Sequence, residues 1–294
     1  MHPDEVTIDE TVVRRLLAAQ FPEWADLPLE AVEPRGTDNR LYRLGRELVV
    51  RLPCRERTVP TLVRERTWLP RLTGRLPLEI PLPVASGEPS AGCPWTWSVY
   101  GWLEGENAID APFADLAEAA VALAGLLEAL QRVDPDGAPG PGEENFFRGA
   151  PLEVFDPRVR TDLARLRDEI DVEAATAVWE AALRAPRPEG PPVWVHGDLD
   201  RRNLLTRQGR LAAVVDFGCV GVGDPACDVA VAWKVLSPET RDTFRGALSV
   251  DEATWARARG WAVSQALGAL AYYTPETNAV LVAEARRWLA DALA

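Results

Sequence analysis

The stretch that decides the fold is NLLTRQGRLAAVVDFG, Asn203 to Gly218. Two apolar runs flank Gln208-Gly209, and that dipeptide is a turn signal. Pairing the runs about it predicts a hairpin in which Asn203 falls opposite Val214 or so, with Asp216 just past the same end. WVHGDLDRRNLL, from Trp194, leads into the first strand, so Asp198 arrives on the loop before it. An amide oxygen and two carboxylates are thereby brought together. A few side-chain oxygens plus substrate phosphates are the usual way to hold Mg2+. Asn203 and Asp216 taken singly could equally cap strand ends and turns; it is the joint pattern that points to chemistry.

The pattern changes on either side of this stretch. TIDETVVRRLLAAQF, from Thr7, reads as an amphipathic helix with a cap signal at Thr7 or Asp9. NRLYRLGRELVVRLP, from Asn39, gives two extended runs around Gly45-Arg46, a second hairpin. TVPTLVRERTWLPRL, from Thr58, has helical spacing after a proline suited to a first turn. WTWSVYGWLEG, from Trp95, is aromatic and β-branched, hence a strand. Beyond Gly105, ADLAEAAVALAGLLEALQRV (from Ala114) and RTDLARLRDEIDVEAATAVWEAALRA (from Arg160) are helical, the latter in two pieces. Alanine-rich helices run from Pro225 to the end, while PVWV, NLLT and LAAVVDFG form a small inserted sheet. Prolines cluster in short connectors that read as ordered loops. No internal repeat is present. The chain therefore reads as a small α+β lobe, an extended connector near Trp102, and a large helical lobe.

Composition narrows the function classes. The 294 residues allow one large domain or two lobes, and 47% apolar content supports a core. No run approaches the length of a membrane span. The start, MHPDEVTIDETVVRRLL, does not read as a signal peptide. Cys54, Cys93, Cys219 and Cys227 form no CxxC pair, and two histidines cannot build a histidine metal site. Scattered thiols suit a reducing, cytoplasmic location. A net charge of −13 repels nucleic acid and anionic membrane. It would attract a cationic small molecule, or simply keep the protein dissolved.

His196-Gly197-Asp198, four residues, Asn203, then Asp216-Phe217-Gly218 follows the protein-kinase pattern H-R-D-x-x-x-x-N followed by D-F-G. With glycine in the middle of the first triplet, the chain resembles the aminoglycoside phosphotransferase family of kinase-like enzymes. VHGDLDRRNLL and VVDFGCVGVGDPACDVAVAW are similar to that family's signatures. The resemblance runs from about Glu33 to the C-terminus and is sharpest from Val193 to Trp233. It implies an α+β, bilobal, protein-kinase-like fold. A small N-terminal lobe and hinge with an antiparallel sheet would span 1–103, and a large, mainly helical catalytic and acceptor-binding lobe 104–294. The implied activity moves the γ-phosphate of ATP or GTP to a hydroxyl of a small molecule, an aminoglycoside antibiotic first, as in antibiotic-resistance kinases. The alternatives are a macrolide, an amino sugar or another small metabolite as acceptor, or a catalytically silent nucleotide-binding homologue. A protein kinase is the weaker rival, because no A-P-E follows the D-F-G and little room remains for an activation loop.

Roles follow from the chemistry. Phosphoryl transfer has a loose transition state, so catalysis is mostly positioning and charge neutralisation. Asp198 would orient the acceptor hydroxyl and take its proton. Asn203 and Asp216 would hold Mg2+ against the nucleotide phosphates. His196 would brace the loop. By the family resemblance Asp228 would support it from a helix start, or it would merely cap that helix. Upstream, Arg51 stands where the fold usually carries a phosphate-binding lysine, with Glu65 as its ion-pair partner. Arginine is a forked donor rather than a point charge, so phosphate geometry would differ. RGTDNRLYRL lacks G-x-G-x-x-G, leaving a loop around Gly36, Asp38 and Asn39 near the phosphates. The resemblance also implies that the connector binds adenine through backbone groups, which suggests the Gly101 carbonyl and the Leu103 amide. Trp95, Trp97 and Trp102 read as packing. Acceptor-pocket candidates are Asp200, Trp233 and ALAYYTPETN from Ala269.

Overall fold

A computed structural model describes residues 5–32 and 39–294. Helix α1 (Glu10–Gln20) starts where Asp9 accepts a hydrogen bond from the Val12 amide at 2.9 Å. This satisfies one of the helix's otherwise orphaned donors. Five strands follow in one antiparallel sheet: β1 (Leu29–Ala31), β2 (Asn39–Leu44), β3 (Leu48–Pro53), β4 (Pro83–Gly87) and β5 (Trp97–Gly101), in the order β1-β2-β3-β5-β4. The β2–β3 turn begins at Gly45, whose φ of +62° suits a residue without a Cβ. Val13, Leu16 and Leu17 of α1 pack with Leu44, Val50 and Trp97 to make the smaller core.

Helix α2 (Val59–Leu72), with Pro60 in its first turn, leaves the β3 end of the sheet. Its Leu62, Leu69 and Leu72 belong to the larger core, beside Leu123, Leu204 and Phe217. The helix is thus early in sequence but packed with the larger core.

The rest of the chain is mainly helical. The strands are β6 (Glu106–Asn107), β7 (Val193–Val195), β8 (Leu204–Arg207), β9 (Arg210–Val214) and β10 (Gly221–Gly223). They form a β6-β8-β9 sheet and a β7-β10 pair. The helices are α3 (Leu116–Gln131), α4 (Asp156–Arg165), α5 (Val172–Arg184), α6 (Ala226–Val229), α7 (Val231–Lys234), α8 (Pro238–Leu248), α9 (Glu252–Tyr272) and α10 (Pro275–Leu293). Helix α9 is the spine, with α4, α5, α6 and α10 against it. Surrounded in this way, it carries buried residues on most of its circumference, among them Trp261, Val263, Ala266 and Leu267. The four cysteines are buried, and no disulfide forms among the described residues. Among those residues, too, no helix is long and apolar enough to cross a membrane.

The β8–β9 hairpin forms about Gln208-Gly209, both with positive φ (+55° and +75°), the tight primed turn that matches strand twist. Its register differs by one residue from a regular count. Arg207 faces Arg210 and Thr206 faces Leu211, but a bulge then puts Leu205 opposite Ala213 and Leu204 opposite Val214. Asn203 therefore meets Val215, whose amide donates to the Asn203 carbonyl at 3.0 Å, and not Val214. The extra residue brings Asp216 next to that bonded pair.

Candidate active site

The loop after β7 is held from beneath by one buried carboxylate. Asp228, in α6, accepts from the His196 amide at 2.6 Å and the Gly197 amide at 2.8 Å. Its role is therefore loop support, more than a helix cap. Burial pushes the Asp228 carboxyl up, while His196 and the two amides pull it back. The His196 ring accepts from the Asp198 amide at Nδ1 (3.2 Å) and faces the Val215 carbonyl with Nε2 (3.1 Å). A carbonyl can only accept, so the proton sits on Nε2 and the ring ties the loop to the end of β9. Gly197 has φ +87°, and a Cβ there would lie 2.9 Å from both the Arg148 Cβ and the Cys219 carbonyl oxygen. Only glycine fits without displacing those neighbours.

Asn203 faces this loop. Its Nδ2 donates to the Asp198 carbonyl at 2.8 Å and stands 3.4 Å from the Asp198 Oδ2. With its nitrogen committed there, the amide oxygen is directed away from Asp198. Asp216 follows β9 in the left-handed region, φ +63°, with its side chain 46% exposed. A non-glycine residue in that conformation carries some strain, the kind found at functional sites.

Arg51 reaches across from β3. One end of its fork donates to Glu65 at 2.6 Å and the other to Asp216 at 2.8 Å. Glu65 is 1% exposed. Burial pushes its carboxyl up to about 7 and Asp216 adds to that, while Arg51 opposes it. Asp216 moves the other way: burial would raise it, but Arg51, His196 and Arg202 hold it below the usual carboxylate range.

Asp198 sits among cations. Arg148 Nη2 is 3.4 Å from its Oδ1. Burial would raise Asp198, and Arg148, Lys234 and Arg202 together hold it low, so it is a carboxylate at neutral pH. Arg202 is itself gripped by buried Asp200, at 3.0 Å from Nε and 2.6 Å from Nη2. Lys234 donates to Gln265 at 2.8 Å, with its nitrogen 3.9 Å from Asp200 and 5.0 Å from the Trp288 ring centroid. Asp200 is buried in this cluster, whereas buried Trp233 packs on Trp255, ring centroids 4.6 Å apart.

Of the residues singled out from sequence, Asn203 meets Asp198, Arg51 joins Glu65 and Asp216, and Asp216 is near enough to Asp198 to act on its charge. Gly101 ends β5 and Leu103 follows it in the connector. There the Gly101 amide donates to the Leu82 carbonyl and the Trp102 amide to the Glu47 carbonyl. Gly36 and Asp38 lie outside the described residues. Asn39 opens β2. Tyr272 and Tyr273 stack edge to face at the end of α9, with Tyr272 half exposed. Arg148 was not foreseen. NFFRG carries only a turn signal, and nothing in spacing links position 148 to 198.

The donors present suit a hard divalent cation in part. Among the described residues no cluster of three or more His, Cys, Asp or Glu side chains could hold a metal alone. Asn203 and Asp216 offer one amide oxygen and one carboxylate. That is a partial shell of the kind Mg2+ takes when phosphates and waters complete it.

A small sheet-bearing lobe, an arginine–glutamate pair between β3 and α2 and a loop–hairpin–D-F-G arrangement define a kinase-like fold. The solved GDP complex of aminoglycoside 2'-phosphotransferase-IIIa superimposes with a TM-score of 0.72 over 97% of this chain and 99% of that one, at 17% identity. The chain belongs to the phosphotransferase enzyme family, whose model matches residues 31–261. It is 29% identical over 126 residues to hygromycin-B 4-O-kinase of Escherichia coli, covering 42% of this chain and 37% of that protein. It is 31% identical over 209 residues to an uncharacterized protein of Deinococcus radiodurans, covering 68% of this chain and 56% of that protein. The matched segments thus span about half or less of these two relatives.

Proposed function

We propose that this member of the family moves the γ-phosphate of ATP, or of GTP, to a hydroxyl of a small molecule, an aminoglycoside first among acceptors. Residues 1–103 form the nucleotide side in this reading, and residues 104–294 the catalytic and acceptor side. The observation that carries it is Arg51, which bonds at once to Glu65 on α2 and to Asp216 beyond β9. A forked cation held between two carboxylates, one of them on the far side of the catalytic hairpin, would be suited to receive nucleotide phosphates. Asp198 would accept the acceptor's hydroxyl proton. It is charged, close to the hairpin end, and held on both sides by contacts long enough to leave lone pairs open. Asn203 and Asp216 would hold Mg2+, which when bound neutralises charge on the phosphates. His196, its Nε2 proton turned to a carbonyl, orients the loop without exchanging protons. Support for an aminoglycoside comes from the net charge of −13 and from the match to a hygromycin kinase. The cations around Asp198 favour acceptors with no ammonium group beside the reacting hydroxyl. That keeps a small metabolite whose reacting hydroxyl has no neighbouring amine as the second reading.

The test is 31P NMR of the protein with Mg2+, ATP or GTP, and a panel of aminoglycosides, macrolides and amino sugars. The expected result is a phosphomonoester on one acceptor class, formed about 10²–10⁴-fold more slowly by Asp198→Asn, the span of a general base. Nucleotide affinity should be preserved in that variant. No phosphoester from any acceptor, or an equal rate in the variant, would overturn the reading.

A further inference from the structure

Phe146 and Phe147 both adopt left-handed backbone, with φ of +54° and +56°. Two consecutive bulky residues in this region are strained, and Gly or Asn would relieve it. Their rings do not explain the strain, being 47% and 38% exposed. What the turn does achieve is to deliver Arg148.

The turn is fixed at both ends. Asn145 is fully buried; its Oδ1 accepts from the Gly142 amide at 2.9 Å, and its Nδ2 lies 3.3 Å from the carbonyls of Arg148 and Cys219. Gly149 abuts β10, where the Asp224 amide donates to its carbonyl at 2.8 Å. Between these anchors the Arg148 stem lies over Gly197, so close that a Cβ on Gly197 would meet it at 2.9 Å. The guanidinium then reaches Asp198 Oδ1 at 3.4 Å, and its buried Nε has no hydrogen-bond partner. Asn203 approaches the other carboxylate oxygen, also at 3.4 Å. Asp198 is bracketed from two sides, one bracket coming from its own loop and one from this turn.

We propose that Arg148 is a positioning residue for phosphoryl transfer, holding the Asp198 carboxylate toward the acceptor hydroxyl from a turn strained to place it there. This rests on the phosphotransferase reading above. Loop glycine and arginine form one unit: the missing side chain at position 197 makes the space that the Arg148 stem fills.

The experiment compares wild type with Arg148→Gln, Arg148→Met and Arg148→Lys, using an acceptor the wild type phosphorylates. Misplacing a reacting group by about 1 Å costs on the order of 100-fold. The expected loss in kcat is therefore about 10–100-fold for Gln and Met, with nucleotide KM within about twofold of wild type. Lys, which keeps the charge, should recover at least part of that loss. Crystals of Arg148→Gln should show Asp198 in a new orientation. A folded Gln or Met variant with kcat within twofold of wild type and Asp198 unmoved overturns the proposal; Met retains the packing stem if Gln fails to fold. If the wild type phosphorylates no acceptor, the functional reading fails. The crystallographic orientation of Asp198 still decides what Arg148 does.

Discussion

Replacing Arg51 with methionine would test the buried pair that joins β3 to α2. The side chain is similar in length, so the main change is electrostatic. Glu65 would lose the cation 2.6 Å away while remaining 1% exposed. Breaking a buried pair from one side typically costs about 3–5 kcal/mol where the remaining group stays charged and desolvated, so the full cost is expected only at high pH, where Glu65 is ionised. The second leg, to half-exposed Asp216, adds little, since exposed pairs are worth about 0–1 kcal/mol. The loss should depend on pH in a defined direction. A carboxyl whose folded pKa is raised contributes stability that is full below its unfolded value and is lost as pH rises through the folded value. For Glu65 in the wild type, that window runs from 4.5 to about 7. Without Arg51 the folded value rises further. Above pH 7, then, the wild type has finished titrating while the variant continues to lose about 1.4 kcal/mol per pH unit. Urea denaturation of both proteins from pH 5 to 9 measures this. A deficit that widens above pH 7, and that disappears when Glu65 is also replaced by leucine, fits the account. A deficit below about 1 kcal/mol at every pH would refute the buried-pair reasoning.

Two further changes probe the loop. Asp228→Asn replaces one of two accepting oxygens with a donor, leaving a buried amide of His196 or Gly197 unmatched. The expected cost is about 1–3 kcal/mol, with a fall in kcat and little change in nucleotide binding, read by denaturation and steady-state kinetics. Gly197→Ala should be worse. A side chain at φ +87° and contacts of 2.9 Å combine backbone strain with overpacking, for a loss of roughly 2–5 kcal/mol. Calorimetry should show a clear fall in Tm, and an unchanged Tm would contradict the packing of Arg148 over this glycine.

Local signals in the sequence carried much of this architecture. Gln208-Gly209 announces its hairpin because a primed turn needs residues that tolerate positive φ, and Asn203 and Asp216 then share one end by strand geometry alone. The strand and the proline-started helix that carry Arg51 and Glu65 were legible, but only the family resemblance picked out the pair. The bulge at Leu205–Thr206 was not, since no residue there marks it, and it moved Asn203 from Val214 to Val215. Asp228 could be read as a loop support or a helix cap, because only tertiary packing decides which amides a buried carboxylate meets. Arg148 left no trace at all. Its function depends on a strained turn placed against a loop fifty residues later, and short-range pattern cannot carry that. The packing of α2 with the larger core was hidden for the same reason, as its apolar stripe says only that one face is buried.

The central claim is that Asp216, Asn203 and Arg51 surround the phosphates of a bound nucleotide, with Asp198 facing the acceptor. A crystal structure with Mg2+ and a non-hydrolysable nucleoside triphosphate tests it directly. The account predicts a cation liganded by the Asn203 amide oxygen and the Asp216 carboxylate, phosphate oxygens on Arg51, and Asp198 open to solvent opposite the γ-phosphate. A nucleotide bound elsewhere, or bound here with Asn203 and Asp216 turned from the phosphates, would contradict it.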